Sequence, residues 1–420
     1  MGAENKNIRN QKNNYSDGGV TKLDVAIIGF VNNNLDKIAL ALIVLIAVLV
    51  RFFMIPETEL SPDYNSYYLP WTLAYREHGF FGGLSKDIGD YYVPYNVMYA
   101  ICSLFPCEPY IPIALFSMAA EFVSAIFIYK ILLIILNERG IGEKRARLTA
   151  SFASALTLLL PFVIWNGALW KQCDAIYVVF LVISVYYLLK DNYRMAFVFL
   201  AISFSFKLQA IFFVPLFLVL YFAKKKYSIL EFLWIPVIFL IMGLPCVLCH
   251  RGLKATYLAY FLQTQEVSTE GYGMVSFYPN FYNFGLDNFD ELLTKPAVLL
   301  AAAVLGVLAV YILCHRDFLE KKENVLYFGL FLAWTCCMFL PGMHERYDYA
   351  IVLLMTALCV SVCRERLWIA AVMNANSMLV YIAVLFKEEV VPITVLSAIQ
   401  IVAYFIVAYD LVRRVGGERA

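Results

Sequence analysis

YYVPYNVMYAICSLF, residues 91–105, is a run of 15 residues without a charge. Whether it crosses a membrane decides the topology of everything after it. The chain around it makes a membrane the natural solvent. Of 420 residues, 62% are hydrophobic, 16% aromatic and 15% charged, with a mean hydropathy of +0.71. Soluble globular domains are nearer half apolar and a quarter charged. Crossing a bilayer as a helix takes about 20 apolar residues. Candidate spans lie near 37–55, 111–136, 148–164, 175–190, 229–249, 296–314, 325–341, 347–363, 367–386 and 390–411, with two shorter ones near 194–206 and 210–223.

Short cytoplasmic loops carry an excess of Lys and Arg. With a cytoplasmic N-terminus and 91–105 not crossing, the clusters NERGIGEKRAR, KDNYR, KKKY, HRDFLEKKEN, RERL and RRVGGER all fall inside. If 91–105 crossed, the parity would flip and they would lie outside. The expected fold is therefore an all-α polytopic membrane protein of about twelve transmembrane helices. Both termini are cytoplasmic, and 91–105 lies in or dips into the outer face. Large outer loops, about 56–110 and 250–295, carry short interfacial helices. Residues 1–36 read as a polar cytoplasmic tail without the apolar core of a signal peptide. Residues 37–420 read as one integral-membrane domain. The start MGAENK matches a myristoylation signal at Gly2 but has Lys6 where Ser or Thr is expected.

The formal net charge of +1 argues against nucleic acid as a partner. The ten cysteines show no ligand spacing and read as small buried hydrophobes. Cys102 and Cys107 pair only if both face an oxidising side.

The informative charges sit on the outer face. The first outer loop carries Asp63, Arg76, Glu77, Asp87 and Asp90. WNGALWKQCDAIY brings Lys171 and Asp174. The later loop brings His250, Arg251 and Lys254, and PGMHERYDY, residues 341–349, brings His344, Glu345, Arg346 and Asp348. Charges at membrane level are expensive and point to function; the bland alternative is ion pairs tying loops to span ends. Lys207 lies in SFKLQA between two apolar stretches of about 13 residues, each about 20 Å long as helix and too short for a ~30 Å core. That places Lys207 and Gln209 on an internal turn at the floor of a polar cavity, unless Lys207 snorkels to the headgroups. Glu121, inside the second span, has a structural reading, paired or protonated, beside a direct one. A cavity floored by Lys and rimmed by Arg and His suits a lipid phosphate. A carboxylate above it, Asp63 or Asp90, suits a general base.

Together these residues resemble a known family. The chain is similar to type C (GT-C) glycosyltransferases, the multi-span enzymes that use polyprenyl-phosphate sugars. More narrowly, it resembles the prokaryotic relatives of the second mannosyltransferase of GPI-anchor synthesis. SPDYNSYYLPWTLAYREHGF resembles the first outer loop, and DYYVPYNVMYA the DYPPGY run, with Asp90, Tyr91 and Pro94 retained. WKQCDAIY resembles W-G-Q-x-D-x-x-Y through Trp170, Gln172, Asp174 and Tyr177. FKLQAIFFVP resembles F-K-P-Q, MHERY matches its counterpart, and YPNFYNFG resembles the later Asn-x-Tyr-Asn run. The similarity spans about residues 60–350. Lys171 stands where Gly is usual, Leu208 replaces Pro, and one Pro of the double-Pro run is missing.

The resemblance implies Asp63 as the base, with Asp90 as second candidate, and a donor phosphate held by Lys207, Arg346, His344 and Lys171. Gln172, Asp174, Gln209, Glu345, Tyr347 and Tyr91 are the substrate-binding candidates. The expected partners are a polyprenyl-phosphate-linked sugar (mannose or another hexose), a glycan or lipid-linked acceptor, and membrane lipids, in a bacterial plasma membrane. Without a DxD or a glycine-rich phosphate loop, no nucleotide donor, cofactor or metal is expected. A lipid-glycan flippase should show inverted repeats and polar residues on both faces, and the sequence shows no repeat. An O-antigen-type polymerase or ligase shares the lipid class and the face; the motif set argues against it.

Overall fold

Residues 21–260 and 273–417 are described in the computed structural model of the chain. The first helix, α1 (Lys22–Met54), opens with a capping box: the Thr21 hydroxyl accepts from the Asp24 amide at 3.2 Å, and the Asp24 carboxylate accepts from the Thr21 amide at 2.7 Å. Helix thus begins within the stretch read as polar tail; the myristoylation-like start lies outside the described residues.

After α1 come a π-helical turn (Tyr64–Tyr68), α2 (Leu69–His78), α3 (Phe80–Leu84) and α4 (Val93–Ser103). Helix α4 settles the opening ambiguity. It has 11 residues, about 16 Å of rise, with Pro94 in its first turn where a missing amide costs nothing. Protein covers it: Tyr92 stacks on Phe239 with ring centroids 4.0 Å apart, and Tyr95 meets Phe206 edge-on at 5.2 Å. The run 91–105 is a buried short helix, not a span.

The chain continues through α5 (Tyr110–Glu138), α6 (Glu143–Thr157), α7 (Pro161–Ile164) with a π turn (Trp165–Leu169), α8 (Asp174–Leu189), α9 (Tyr193–Phe206), a 3-10 turn (Leu208–Phe213) and α10 (Val214–Lys224). Then follow α11 (Trp234–Leu248), α12 (Leu253–Tyr257), β1 (Val275–Ser276), α13 (Asp290–Cys314), α14 (Lys322–Phe339), β2 (Met343–His344), α15 (Tyr349–Ser361), α16 (Leu367–Phe386) and α17 (Ile393–Val415). All ten cysteines are free, Cys102 and Cys107 included.

The basic loops meet at one end of the bundle. Arg139 pairs with Glu323 and donates to the Val362 carbonyl at 2.9 Å, and the Lys322 amide donates to Glu138 at 2.8 Å. Arg414 lies 3.5 Å from Glu365, and Lys226 lies 3.6 Å from Asp191. We call this the basic end. The loops after α1, α7, α9 and α14 meet at the opposite end.

The expectation of about twelve spans is corrected. Among the described residues, six helices are long and apolar enough to cross a membrane: α1, α5, 229–248, α13, 364–386 and α17; the bent pair 143–157 and 161–169 makes seven if it is one span. Helices α8, α9, α15 and the 208–224 segment have only 10–17 residues. Their surroundings explain the shortfall. α8 and α15 are buried along almost their whole length, so packing against protein, rather than bilayer thickness, sets how long they are. The best-exposed spans carry the lipid-facing residues: only 11% of the α1 window and 17% of the α13 window is buried.

A buried ion pair ties α1 to α5. Arg51 Nε lies 2.6 Å from Glu121 Oε2, and Arg51 Nη1 donates to the carbonyls of Ala47 and Leu158 at 2.9 and 2.8 Å. Glu121 is thus paired, and it abuts Gly167, where a Cβ would collide with its carboxylate. Removing one partner of such a pair strands the other charge, at about 3–5 kcal/mol. Arg51→Met should therefore lower the unfolding temperature of the detergent-solubilised protein sharply, and adding Glu121→Leu should restore most of it. Equal melting of the single and double variants would contradict the pairing.

Candidate functional site

Four segments converge at the end opposite the basic loops, and backbone bonds fix each one. After α1, the Ser61 hydroxyl donates to the Trp170 carbonyl and accepts from the Tyr64 amide at 3.3 Å. The 170–173 segment is held by side chains from its neighbours. Ser117 donates to the Gln172 carbonyl at 2.8 Å and Tyr95 to the Cys173 carbonyl at 2.8 Å, while the Gln172 amide donates to the Asn166 carbonyl at 2.8 Å. At the end of α9, Lys207 turns extended, with φ −150 and ψ 134, and starts the 3-10 turn. The fourth segment is positioned by two short parallel strands, with Val275 opposite Met343 and Ser276 opposite His344. The Glu345 amide then donates to the Ser276 carbonyl at 3.1 Å, and α15 begins at Tyr349.

These segments bring three carboxylates and two cations together. Asp174, 1% exposed, pairs with the Lys207 ammonium through Oδ1, while its Oδ2 accepts from Asn166 at 2.9 Å and lies 3.6 Å from Arg346 Nε. Arg346 pairs with Glu345, reaches Asp63 Oδ2 at 3.9 Å, and lies over the Trp170 ring at 5.2 Å. His344 Nδ1 is 3.7 Å from Glu345. Gln172 donates to Asp63 Oδ2 and accepts from the Tyr68 hydroxyl at 2.9 Å; Tyr68 in turn lies 3.3 Å from the Tyr91 hydroxyl. Lys207 Nζ is 5.8 Å from the centroids of both Tyr177 and Tyr347. Asp63 and His344 keep 23% and 25% of their side chains exposed, so these two present the cluster to incoming molecules.

Burial pushes the Asp63 carboxyl above its ordinary value, with Arg346 opposing. Burial also works against ionising Glu345, but Arg346 and His344 outweigh it and hold this carboxyl down to about 2. The three carboxylates hold the Arg346 guanidinium well above its usual value despite burial. Burial raises Asp348 to about 7, although the Tyr278 hydroxyl beside it favours the charge.

Of the residues singled out in the sequence, Asp63, Gln172, Asp174, Lys207, His344, Glu345, Arg346 and Tyr347 come together, with Gln209 beside the Tyr347 hydroxyl. Lys171 does not join them. It is fully buried and donates to the carbonyls of Glu57 and Leu169; burial brings its ammonium down to about 8. Asp90 lines a cavity with Asp87 and Arg251, and Tyr91, whose hydroxyl lies 3.3 Å from that of Tyr68, lines the same cavity. Tyr68, Asn166 and Ser61 had been given no role. Their signal was faint: isolated polar groups in aromatic or apolar runs. Trp170 was matched only as a motif residue, and its contact with Arg346 gives it a part. Among the described residues, no three His, Cys, Asp or Glu side chains group as metal ligands. No family model and no curated protein matches the chain.

Asp348 gives a stability test with a defined sign. Its folded value of about 7 lies above the unfolded carboxylate value of about 3.9. Between those values the folded state holds a proton that the unfolded state has released, so stability falls as pH rises through the window. At about 1.4 kcal/mol per pH unit the loss reaches about 4 kcal/mol above neutrality. Asp348→Asn, always neutral, should match the wild-type unfolding temperature near pH 4 and exceed it at pH 8. Parallel curves for the two proteins would contradict it.

Proposed function

We propose that the chain is a membrane glycosyltransferase that moves a sugar, mannose or another hexose, from a polyprenyl-phosphate donor to a hydroxyl of a glycan or lipid-linked acceptor. The observation that carries this reading is the Asp63 carboxylate. It is partly exposed, held in place by Gln172, and stands at the mouth of a cluster whose deeper members are Lys207 and Arg346. One oxygen of Asp63 is anchored, which leaves the other to take a proton. The cations below it form a seat for a phosphate.

In the proposed step the acceptor hydroxyl oxygen attacks the anomeric carbon, and Asp63 takes its proton. The bond from that carbon to the phosphate oxygen breaks on the opposite side, so configuration inverts. Polyprenyl phosphate leaves with the electron pair, and Lys207 and Arg346 hold its charge. To meet the phosphate, these cations loosen their bonds to Asp174 and Glu345; His344, at the exposed edge, supplies a further donor. Before the donor arrives, Glu345 orients Arg346.

Two further observations support the reading. Lys171 adopts φ 60, the left-handed backbone that favours glycine, and Gly is the usual residue at this place in the W-G-Q-x-D pattern that the sequence resembles. The basic loops gather at the opposite end, which under the rule for cytoplasmic Lys and Arg supports a site on the outer face.

The test is sugar transfer by purified protein from a panel of synthetic polyprenyl-phosphate sugars. Asp63→Asn should lower the rate by about 10²- to 10⁴-fold, with the protein still monodisperse on size exclusion. Because Asp63 titrates above its ordinary value of 3.8, the wild-type rate should rise with pH as that carboxyl loses its proton, and this acidic limb should vanish in the variant. Transfer surviving in Asp63→Asn but lost in Asp90→Asn would move the base to Asp90. No turnover of any donor, with lipid-linked glycan crossing liposomes instead, would overturn the transferase reading.

A further inference from the structure

Beside the charged cluster lies a polar cavity of about 150 Å³, room enough for several waters. Among the described residues it is lined by Asp87, Gly89, Asp90, Tyr91, Asn96, Arg251 and Thr256, with apolar contacts from Val93, Ala255 and Ala259. Three features mark it as built for a ligand. Asn96, 1% exposed, donates to the Ile88 carbonyl at 2.5 Å, while its Oδ1 is buried without a partner. Arg251, 6% exposed, is a buried cation on the lining: it donates to the Leu84 carbonyl at 3.2 Å, lies 3.7 Å from Asp87 and adjoins the Tyr75 hydroxyl. Buried polar atoms left unpaired cost free energy and ask for a ligand or water. The third feature is position. Tyr91 lines the cavity, and its hydroxyl, next to that of Tyr68, leads through Gln172 to Asp63.

We infer that this cavity is the acceptor subsite, and that it takes a neutral sugar ring through the hydroxyls. The inference rests on the transferase reading for its role, but on the cavity alone for its ligand. The lining carries two carboxylates, Asp87 and Asp90, against one guanidinium, Arg251. That balance disfavours a phosphate or other anion and suits hydroxyl groups, which donate to carboxylates and to Asn96 Oδ1 and accept from Arg251. Tyr91 supplies an aromatic wall. Gly89, at φ +82, lies against the Trp71 indole, where a Cβ would come within 3.1 Å of the ring; a side chain at this position would be strained as well as crowded. Asp90 is thereby a binding residue for the acceptor.

The test is ligand-observed saturation-transfer NMR on the purified, detergent-solubilised full chain. The probes are neutral methyl hexopyranosides, and inorganic phosphate is added as competitor. Wild type and Asp63→Asn should give the hexoside signal, and phosphate should not displace it. Asp90→Asn, an exposed position, and Asn96→Ala should weaken the signal at least 5-fold while their unfolding temperatures show that they are folded. Hexoside signals unchanged in both cavity variants, absent in wild type, or displaced by phosphate would overturn the inference. The transferase reading is tested separately by donor turnover. Turnover with an unaltered hexoside signal in Asp90→Asn sinks the subsite alone. A cavity-dependent hexoside signal in a protein that turns over no donor sinks the transferase role and leaves the sugar site standing.

Discussion

Asp174 is the constraint on which the site depends. Its carboxylate is almost sealed from solvent, and three groups from three other segments converge on it: Lys207 at the end of α9, Asn166 from the π turn after α7, and Arg346 from the turn before α15. None of these charges is tolerable alone at that depth. Each therefore fixes where the others are, and the four segments are held at one level. A second buried pair, Arg51–Glu121, stands where α1 meets α5 and the π turn. The two clusters are linked through 165–174: Gly167 touches Glu121, and Asn166 touches Asp174.

This arrangement accounts for the two populations of helix. Helices α8 and α9 begin and end where the cluster needs them, Asp174 starting one and Lys207 terminating the other. Their length is set by the depth of the site, and they are too short to cross a bilayer by themselves. The long apolar helices α1, α13 and α17 supply the lipid-facing surface. A polar cavity inside a membrane protein needs such a sleeve, because backbone groups and charges at that depth must be satisfied by protein or enclosed water.

What the sequence revealed follows the same division. The class was legible from composition, and the non-crossing of 91–105 from the parity of the Lys and Arg loops, because bilayer insertion writes its rules directly into sequence. The number of spans was not. Apolar runs such as 175–190 and 347–363 look alike whether they face lipid or protein, and hydropathy does not separate the two. In the cluster, Lys207 between two short stretches and the HER triplet were visible as charges where charge is expensive. Asn166 and Tyr68 were not, since an isolated Asn or Tyr in an aromatic-rich chain carries no periodic signal. Lys171 misled for a related reason: its charge drew attention, whereas its left-handed backbone and its bonds to two carbonyls are properties of the turn. The residue types alone left Asp63 and Asp90 both open and only the resemblance ranked them; packing puts one carboxylate on the cationic cluster and the other on the neighbouring cavity.

In the proposed reaction Lys207 and Arg346 form the seat of a lipid phosphate below Asp63. The most direct measurement is a cryo-EM structure of the protein with a bound polyprenyl monophosphate. The account predicts phosphate oxygens within about 3 Å of the Arg346 guanidinium and the Lys207 ammonium, with Asp63 above the ester oxygen and the isoprenoid chain leaving sideways between helices. Phosphate bound among the basic loops at the other end, with the ion pairs of Asp174 undisturbed, would contradict it.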